Sequence, residues 1–178
     1  MYKGKKVIHI LARGKNGEIG KDNRLLWSIS EELKYFKDCT LGHVVLMGRK
    51  TYESLPKPLE RRVVLNVTKF PHNESAFGRS LEMTITHYLD EAKHCCNEIL
   101  NTDIIFIAGG SQLYKATENI VDELWITEVD QEYPDADKYY DQPKGFEKYY
   151  SKAETNCLDR KHLKGVNLEF TKWKRVNK

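Results

Sequence analysis

Several apolar stretches of this chain run on without alternating with polar residues. A strand with one wet face alternates, so a continuous β-branched run belongs in a sheet buried on both faces. Eight runs are predicted as strands: Val7–Leu11, Val44–Met47, Val63–Val67, Met83–Thr86, Ile104–Ala108, Leu124–Val129, Phe146–Ala153 and Leu168–Trp173. Helical patterns fall between them at Ile29–Asp38, in a short turn after Arg49, at Leu89–Leu100 and at Ser111–Thr117. Strand–helix alternation through the first two thirds implies right-handed crossovers. The fold class is therefore α/β: an eight-stranded, mostly parallel sheet flanked by about four helices. The last two runs have no helix between them and are predicted to form an antiparallel hairpin at one C-terminal edge. The segments from Phe70 to Ser75 and from Tyr133 to Asp137 read as loops. The 178 residues suit one domain, 1–178, with a sizeable core.

Charge excludes some classes. With 29 basic and 26 acidic residues the net charge is +3, too balanced and scattered for a nucleic-acid binder. The N-terminal residues lead into a strand without a signal-like apolar stretch, and no run is long enough to span a membrane. A soluble, cytoplasmic protein is expected. The four cysteines (Cys39, Cys95, Cys96, Cys157) lack metal-ligand spacing, and the six histidines form no H-x-x-x-H pair. Reduced thiols and no metal are expected.

Glu32 is the residue that points to chemistry. It lies in Ser28-Ile29-Ser30-Glu31-Glu32-Leu33-Lys34-Tyr35-Phe36-Lys37, a short amphipathic helix with Ser28 or Ser30 as N-cap. At about 100° per residue, Ile29, Leu33 and Phe36 share an apolar face, and Glu32 lies only about 60° from Ile29. Glu31 points almost opposite. A carboxylate at that edge is partly dehydrated and needs a multi-donor partner. No cation on the same helix face supplies one. The partner is either a ligand or, if the side chain bends out, water.

The surroundings carry a pattern. Upstream lies Asn16-Gly17-Glu18-Ile19-Gly20-Lys21-Asp22-Asn23-Arg24-Leu25-Leu26-Trp27. Downstream come Met47-Gly48-Arg49-Lys50-Thr51-Tyr52-Glu53-Ser54, Ile107-Ala108-Gly109-Gly110-Ser111-Gln112 and Leu124-Trp125-Ile126-Thr127. Read singly these are weak: the first is a flexible turn without G-x-G-x-x-G, the second a charged strand end, the third a plain strand–turn–helix. Together, from about Val7 to about Tyr140, they resemble dihydrofolate reductase.

The resemblance implies NADPH-dependent reduction of 7,8-dihydrofolate to tetrahydrofolate, and antifolate-type inhibitors as further ligands. Glu32 would grip the pterin amidine-like edge, Thr127 would hydrogen-bond Glu32 directly or with a water, and Trp27 would line the pocket and order a water. Ile10, Leu33, Phe36, Ser54, Leu55, Leu59 and Ala108 would line the substrate pocket. Arg62 would take the α-carboxylate of the glutamate tail, although Arg61 replaces the usual glycine of that turn and either arginine can point inward. For the cofactor, Ala12 would contact the carboxamide, and Ile19 and Gly20 would close over the ring with Glu18, Asn23 and Arg24 on the same loop. Lys50 and Thr51 would hold phosphates, Arg49 the 2′-phosphate through its planar fork, and Thr68 and Lys69 the adenosine side. Gly109 and Gly110, joined by a cis bond, would admit the pyrophosphate, followed by Ser111, Gln112, Leu113 and Tyr114. A monomer is expected. Leu11, Leu26 and Ala108 depart from the family's usual residues, so pocket shape and inhibitor profile differ. Two rivals remain: an NADPH-dependent pyrimidine reductase of riboflavin synthesis on the same type of fold, which needs neither the Glu32–Thr127 pair nor Arg62, and a non-catalytic binding or scaffold protein.

Overall fold

The computed structural model describes residues 1–68, 81–149, 161–163 and 165–176. Its strands are β1 (Lys6–Arg13), β2 (Glu18–Gly20), β3 (Val44–Gly48), β4 (Val63–Val67), β5 (Ile104–Ile107), β6 (Glu123–Val129), β7 (Lys138–Tyr139), β8 (Phe146–Tyr149), β9 (Lys161–Leu163) and β10 (Val166–Arg175). The helices are α1 (Ser30–Thr40), α2 (Arg49–Glu53), α3 (Leu81–Cys95) and α4 (Ser111–Thr117), and a π-helical turn Cys96–Leu100 extends α3.

Eight strands form one sheet in the order β4-β3-β5-β1-β6-β10-β8, with β9 paired to β10; β2 and β7 form a separate ribbon. The pairs β3–β4, β3–β5, β1–β5 and β1–β6 are parallel, whereas β10 runs antiparallel to β6, β8 and β9. The parallel core and the antiparallel C-terminal part follow from the run pattern. The last two runs pair antiparallel at one edge as expected, β8 outermost and β10 between it and β6.

The continuous runs are buried on both sides. Val7, Leu46 and Ile107 pack with Leu89, Ala92, Cys96 and Leu113 on one face. Ile8, Ile10, Val45, Met47 and Phe106 pack with Phe36, Leu55 and Leu59 on the other.

One predicted strand is a helix. The stretch Met83–Thr86 alternates like a strand but lies within α3. Ile85, Leu89, Ala92 and Cys96 are all buried, and that spacing is helical. A helix covering the sheet therefore outweighs four residues of alternation. The cap of α1 also differs: Ile29 is the N-cap residue, with no side-chain cap bond, and Ser30 hydroxyl donates to Glu31 instead. The expected loop at 70–75, Cys157, Lys69 and the end of the run to Ala153 lie outside the described residues.

The crossover from β5 through α4 to β6 passes from one side of β1 to the other. At such a switch, adjacent loops diverge beyond the carboxyl ends of the strands and open a crevice. Here those ends carry Ala12 on β1, Gly48 at the end of β3, and Ala108-Gly109-Gly110 after β5.

Candidate active site

Glu32 lies in the first turn of α1 and is 7% exposed, while its neighbour Leu33, expected on the apolar face, is 47% exposed. The carboxylate has turned inward and the leucine outward. Burial lifts the Glu32 carboxyl to about 7, and the Trp27 indole N–H pulls the other way. Trp27 Nε1 is itself buried and makes no hydrogen bond of ordinary geometry. An acid poised near neutrality beside an idle buried donor is what a polar ligand would complete. Tyr114 lies close enough to sense Glu32: burial first, then Tyr140 and Glu32, raise its phenol well above the ordinary value. Its hydroxyl donates to the Ile10 carbonyl at 2.8 Å.

The expected Thr127–Glu32 hydrogen bond is not made among the described residues. Thr127 is buried on β6, in register with Ala12 and Phe170. Trp27, reaching in from the end of the 14–27 segment, is the donor that Glu32 senses instead.

On the face of the sheet that α1 covers, Ile10 and Ala108 are buried, and Phe36, Leu55 and Leu59 are partly buried against the same cluster. Ser54 ends α2 and donates to the Thr51 carbonyl at 2.7 Å, so its hydroxyl is already engaged. Arg62 turns toward α1, donating to Thr40 Oγ1 at 3.2 Å and to the Glu60 carbonyl at 3.0 Å. Arg61 is exposed and holds φ at +55°, and its carbonyl accepts from Gly42 at 2.9 Å. The left-handed conformation costs an L-residue about 1–2 kcal/mol. Glycine removes that cost but adds about 0.5–1 kcal/mol of unfolded-state entropy. Arg61→Gly is thus expected to stabilise the protein by roughly 0.5–1 kcal/mol in urea titrations and to leave ligand affinity unchanged; weakened ligand affinity would move the contact expected of Arg62 to Arg61.

The cis bond expected between Gly109 and Gly110 is present, and Gly109 holds φ at +96°. Gly48 N–H donates to the Gly109 carbonyl at 2.7 Å, which ties the ends of β3 and β5 together. A Cβ on Gly110 would lie 3.3 Å from Thr51 Oγ1, a tight contact, so the turn and the start of α2 meet closely. Lys50, Gln112 and Arg49 are exposed around this cradle, with Thr51, Ser111 and Thr68 half-buried. Arg49 is not free there: its Nη1 sits 3.0 and 3.1 Å from the Glu53 oxygens, one helical turn on. Leu113 packs in the core and its amide bonds the Gly110 carbonyl at 2.9 Å, so neither its side chain nor its N–H faces a ligand.

Ala12 and Ile19 are half-buried, whereas Asn23 and Arg24 are exposed on a tight turn closed by Lys21 and Arg24 backbone bonds. Glu18 does not face a cofactor. It is 1% exposed, and its carboxylate is taken up by Asn16 and Tyr133. Burial pushes its carboxyl up, but hydrogen bonds from its own backbone, Tyr133 and Asn16 pull harder, so it rests below the ordinary range.

The family model for dihydrofolate reductase matches residues 6–175. The chain belongs to the dihydrofolate reductase family. It is 34% identical over 134 residues to the dihydrofolate reductase of Bacillus subtilis, covering 75% of this chain and 74% of that protein. It is 31% identical over 162 residues to that of Haemophilus influenzae, covering 86% and 94%. With the type 8 enzyme of Escherichia coli it shares 34% over 133 residues, 74% and 78% of the two chains.

One residue of this family member escaped the sequence reading. His9 on β1 is wholly buried, its Nδ1 3.1 Å from Tyr140 Oη and its Nε2 2.8 Å from Thr117 Oγ1. Burial, with Arg175 adding, takes its pKa to about 3, so the ring is neutral and ties β1 to α4. A histidine inside an apolar run was the available signal.

Proposed function

We propose that this chain, as a single-domain monomer, reduces 7,8-dihydrofolate to 5,6,7,8-tetrahydrofolate with NADPH, supporting thymidylate synthesis and one-carbon metabolism in the cytoplasm. The observation that carries the reading is Glu32, a buried carboxyl lifted to about 7 beside the unbonded Trp27 Nε1. The pterin presents two donors, N3–H and the 2-amino group, that match one carboxylate as a bidentate pair. Glu32 binds that edge, and its ionised form favours protonation of N5. From there it cannot reach N5 itself, so the proton arrives through water. Arg62 holds the glutamate tail, and the apolar walls exclude solvent from the ring. Antifolates that mimic the pterin edge occupy the same place.

The side-chain-free Gly109–Gly110 turn beside Gly48 and Thr51 fits a dinucleotide pyrophosphate, flanked by the cationic Arg49 and Lys50. NADPH, when bound, supplies hydride to the pterin C6. No helix among the described residues is long and apolar enough to cross a membrane. Among them, no cluster of His, Cys, Asp or Glu could hold a metal ion.

The purified chain is expected to oxidise NADPH only when dihydrofolate is added, followed by the loss of the near-ultraviolet absorbance of NADPH; no dihydrofolate dependence would refute the reading. Cofactor choice gives a second check. A 2′-phosphate must displace Glu53 from Arg49, so the preference for NADPH should be largest at low salt and shrink with screening. Arg49→Ala is expected to weaken NADPH roughly tenfold or more while NADH changes little. Lys50→Ala is expected to weaken both alike. Equal losses for the two cofactors in Arg49→Ala would show that Arg49 does not read the 2′-phosphate.

A further inference from the structure

We propose that Glu18 is a positioning residue: its carboxylate clasps the 14–20 loop to the 131–133 segment and so sets Trp27 against Glu32. The proposal rests on the reading of Glu32 and Trp27 as site residues. Glu18 Oε2 accepts from the Asn16 backbone N–H at 2.7 Å. Oε1 accepts from Asn16 Nδ2 at 3.0 Å and from the Tyr133 backbone N–H at 3.1 Å. Two donors belong to the carboxylate's own loop; the third comes from 115 residues away. Only a carboxylate offers acceptors on both atoms, so the side chain is matched to three converging donors.

The clasp has no slack. A Cβ on Gly14 would lie 2.6 Å from Glu18 Oε2 and 2.9 Å from Tyr133 Cδ2. Lys15 N–H reaches the Gln131 carbonyl at 3.0 Å alongside it, and the Lys15 ammonium pairs with Asp130 at 3.0 Å. From Tyr133 the contact passes on. The Tyr133 ring lies 5.2 Å from the Trp27 ring, tilted by 48°, and Trp27 is the indole that Glu32 senses. Contacts thus run from Glu18 through Tyr133 to Trp27, whose indole lowers the Glu32 carboxyl without an ordinary hydrogen bond to it. Glu18 also opens β2, whose Gly20 pairs with Lys138, so the clasp fixes where Ile19 and Gly20 lie. An aliphatic side chain at this position could fill the space but could not tie the two segments together.

Glu18→Leu and Glu18→Gln separate these ideas. Each is compared with the parent chain by amide hydrogen exchange, by the isotope-labelled indole N–H resonance of Trp27, and by the pH profile of kcat/KM for dihydrofolate. In Glu18→Gln the amide oxygen can stay at Oε1, so exchange is expected to rise at Asn16 alone. In Glu18→Leu it is expected to rise roughly tenfold or more at both Asn16 and Tyr133. The Trp27 resonance should then shift, kcat/KM should fall roughly tenfold, and the acidic midpoint of the profile should move up, because the indole no longer opposes the burial of Glu32. Unchanged exchange at Tyr133 would overturn the clasp. Faster exchange with an unmoved indole resonance and midpoint would reduce Glu18 to a fold-stabilising residue and overturn the positioning. If Glu18→Leu does not fold, Glu18→Gln decides: a rise confined to Asn16, with the Trp27 resonance held, supports the proposal, and any other pattern overturns it. A parent chain inactive on dihydrofolate would sink the functional reading alone, since exchange and the indole resonance in the free protein still decide the clasp.

Discussion

Glu32→Gln is expected to cut dihydrofolate reduction at neutral pH by roughly 10²–10⁴-fold while making the free protein more stable. Both effects come from one buried carboxyl. Its folded pKa of about 7 stands above the ordinary 4.5, so folding disfavours its ionised form. The stability it contributes is full below about 4.5 and is lost as pH rises through about 7. Above that range the ionised carboxylate weighs on the fold by roughly 1–3 kcal/mol. Glutamine keeps the volume and removes the charge. The midpoint of urea unfolding should therefore rise near neutral pH and match the parent below about 4.5. Activity should recover in part at low pH, where dihydrofolate is protonated in solution. NADPH affinity should change little. Near-normal turnover at neutral pH would remove Glu32 from the mechanism, and an unchanged unfolding midpoint would mean the carboxyl is not dehydrated.

Arg62→Leu is the second large effect expected. The guanidinium reaches Thr40 from the start of β4, and a carboxylate tail there would gain two parallel charge-assisted bonds. Their loss is worth roughly 1.5–3 kcal/mol, or about ten- to a hundredfold in KM for dihydrofolate. Pterins without a tail should lose much less, because they never made the contact. Equal losses for both kinds of substrate would show that Arg62 supports the fold of α1 through Thr40 rather than the substrate. The Arg61→Gly comparison then locates the tail contact.

The parts of this protein written in local patterns were legible, and the parts made by distant partners were not. Continuous runs such as Val44–Met47 announced a doubly covered parallel sheet because burial on both faces leaves no polar position. The 60° offset of Glu32 from Ile29 left open whether the carboxylate turns inward or bends out to water, and packing decides it: Glu32 is buried. The glycine pair after β5 was readable as a turn, and its cis bond came with the family resemblance. Met83–Thr86 misled because four residues fit either period, and only the continuation to Leu89, Ala92 and Cys96 selects the helix. The ribbon of β2 and β7 is too short to leave a signal. Glu18 was assigned to a cofactor because its loop faces one, yet its partner Tyr133 lies 115 residues on. Thr127 was assigned to Glu32 by family pattern, whereas the donor that the carboxyl senses is Trp27. Spacing along a chain does not show which of two buried donors turns toward an acid.

Glu32 is a dehydrated acid that a cationic or multi-donor edge completes. An isotope-edited infrared titration of the Glu32 carboxyl tests it most directly. In the free protein the midpoint should fall near about 7, and with a diaminopyrimidine antifolate bound it should drop well below, as paired donors hold the carboxylate ionised. A free-protein midpoint near the ordinary 4.5, or one that ligand leaves in place, would contradict it.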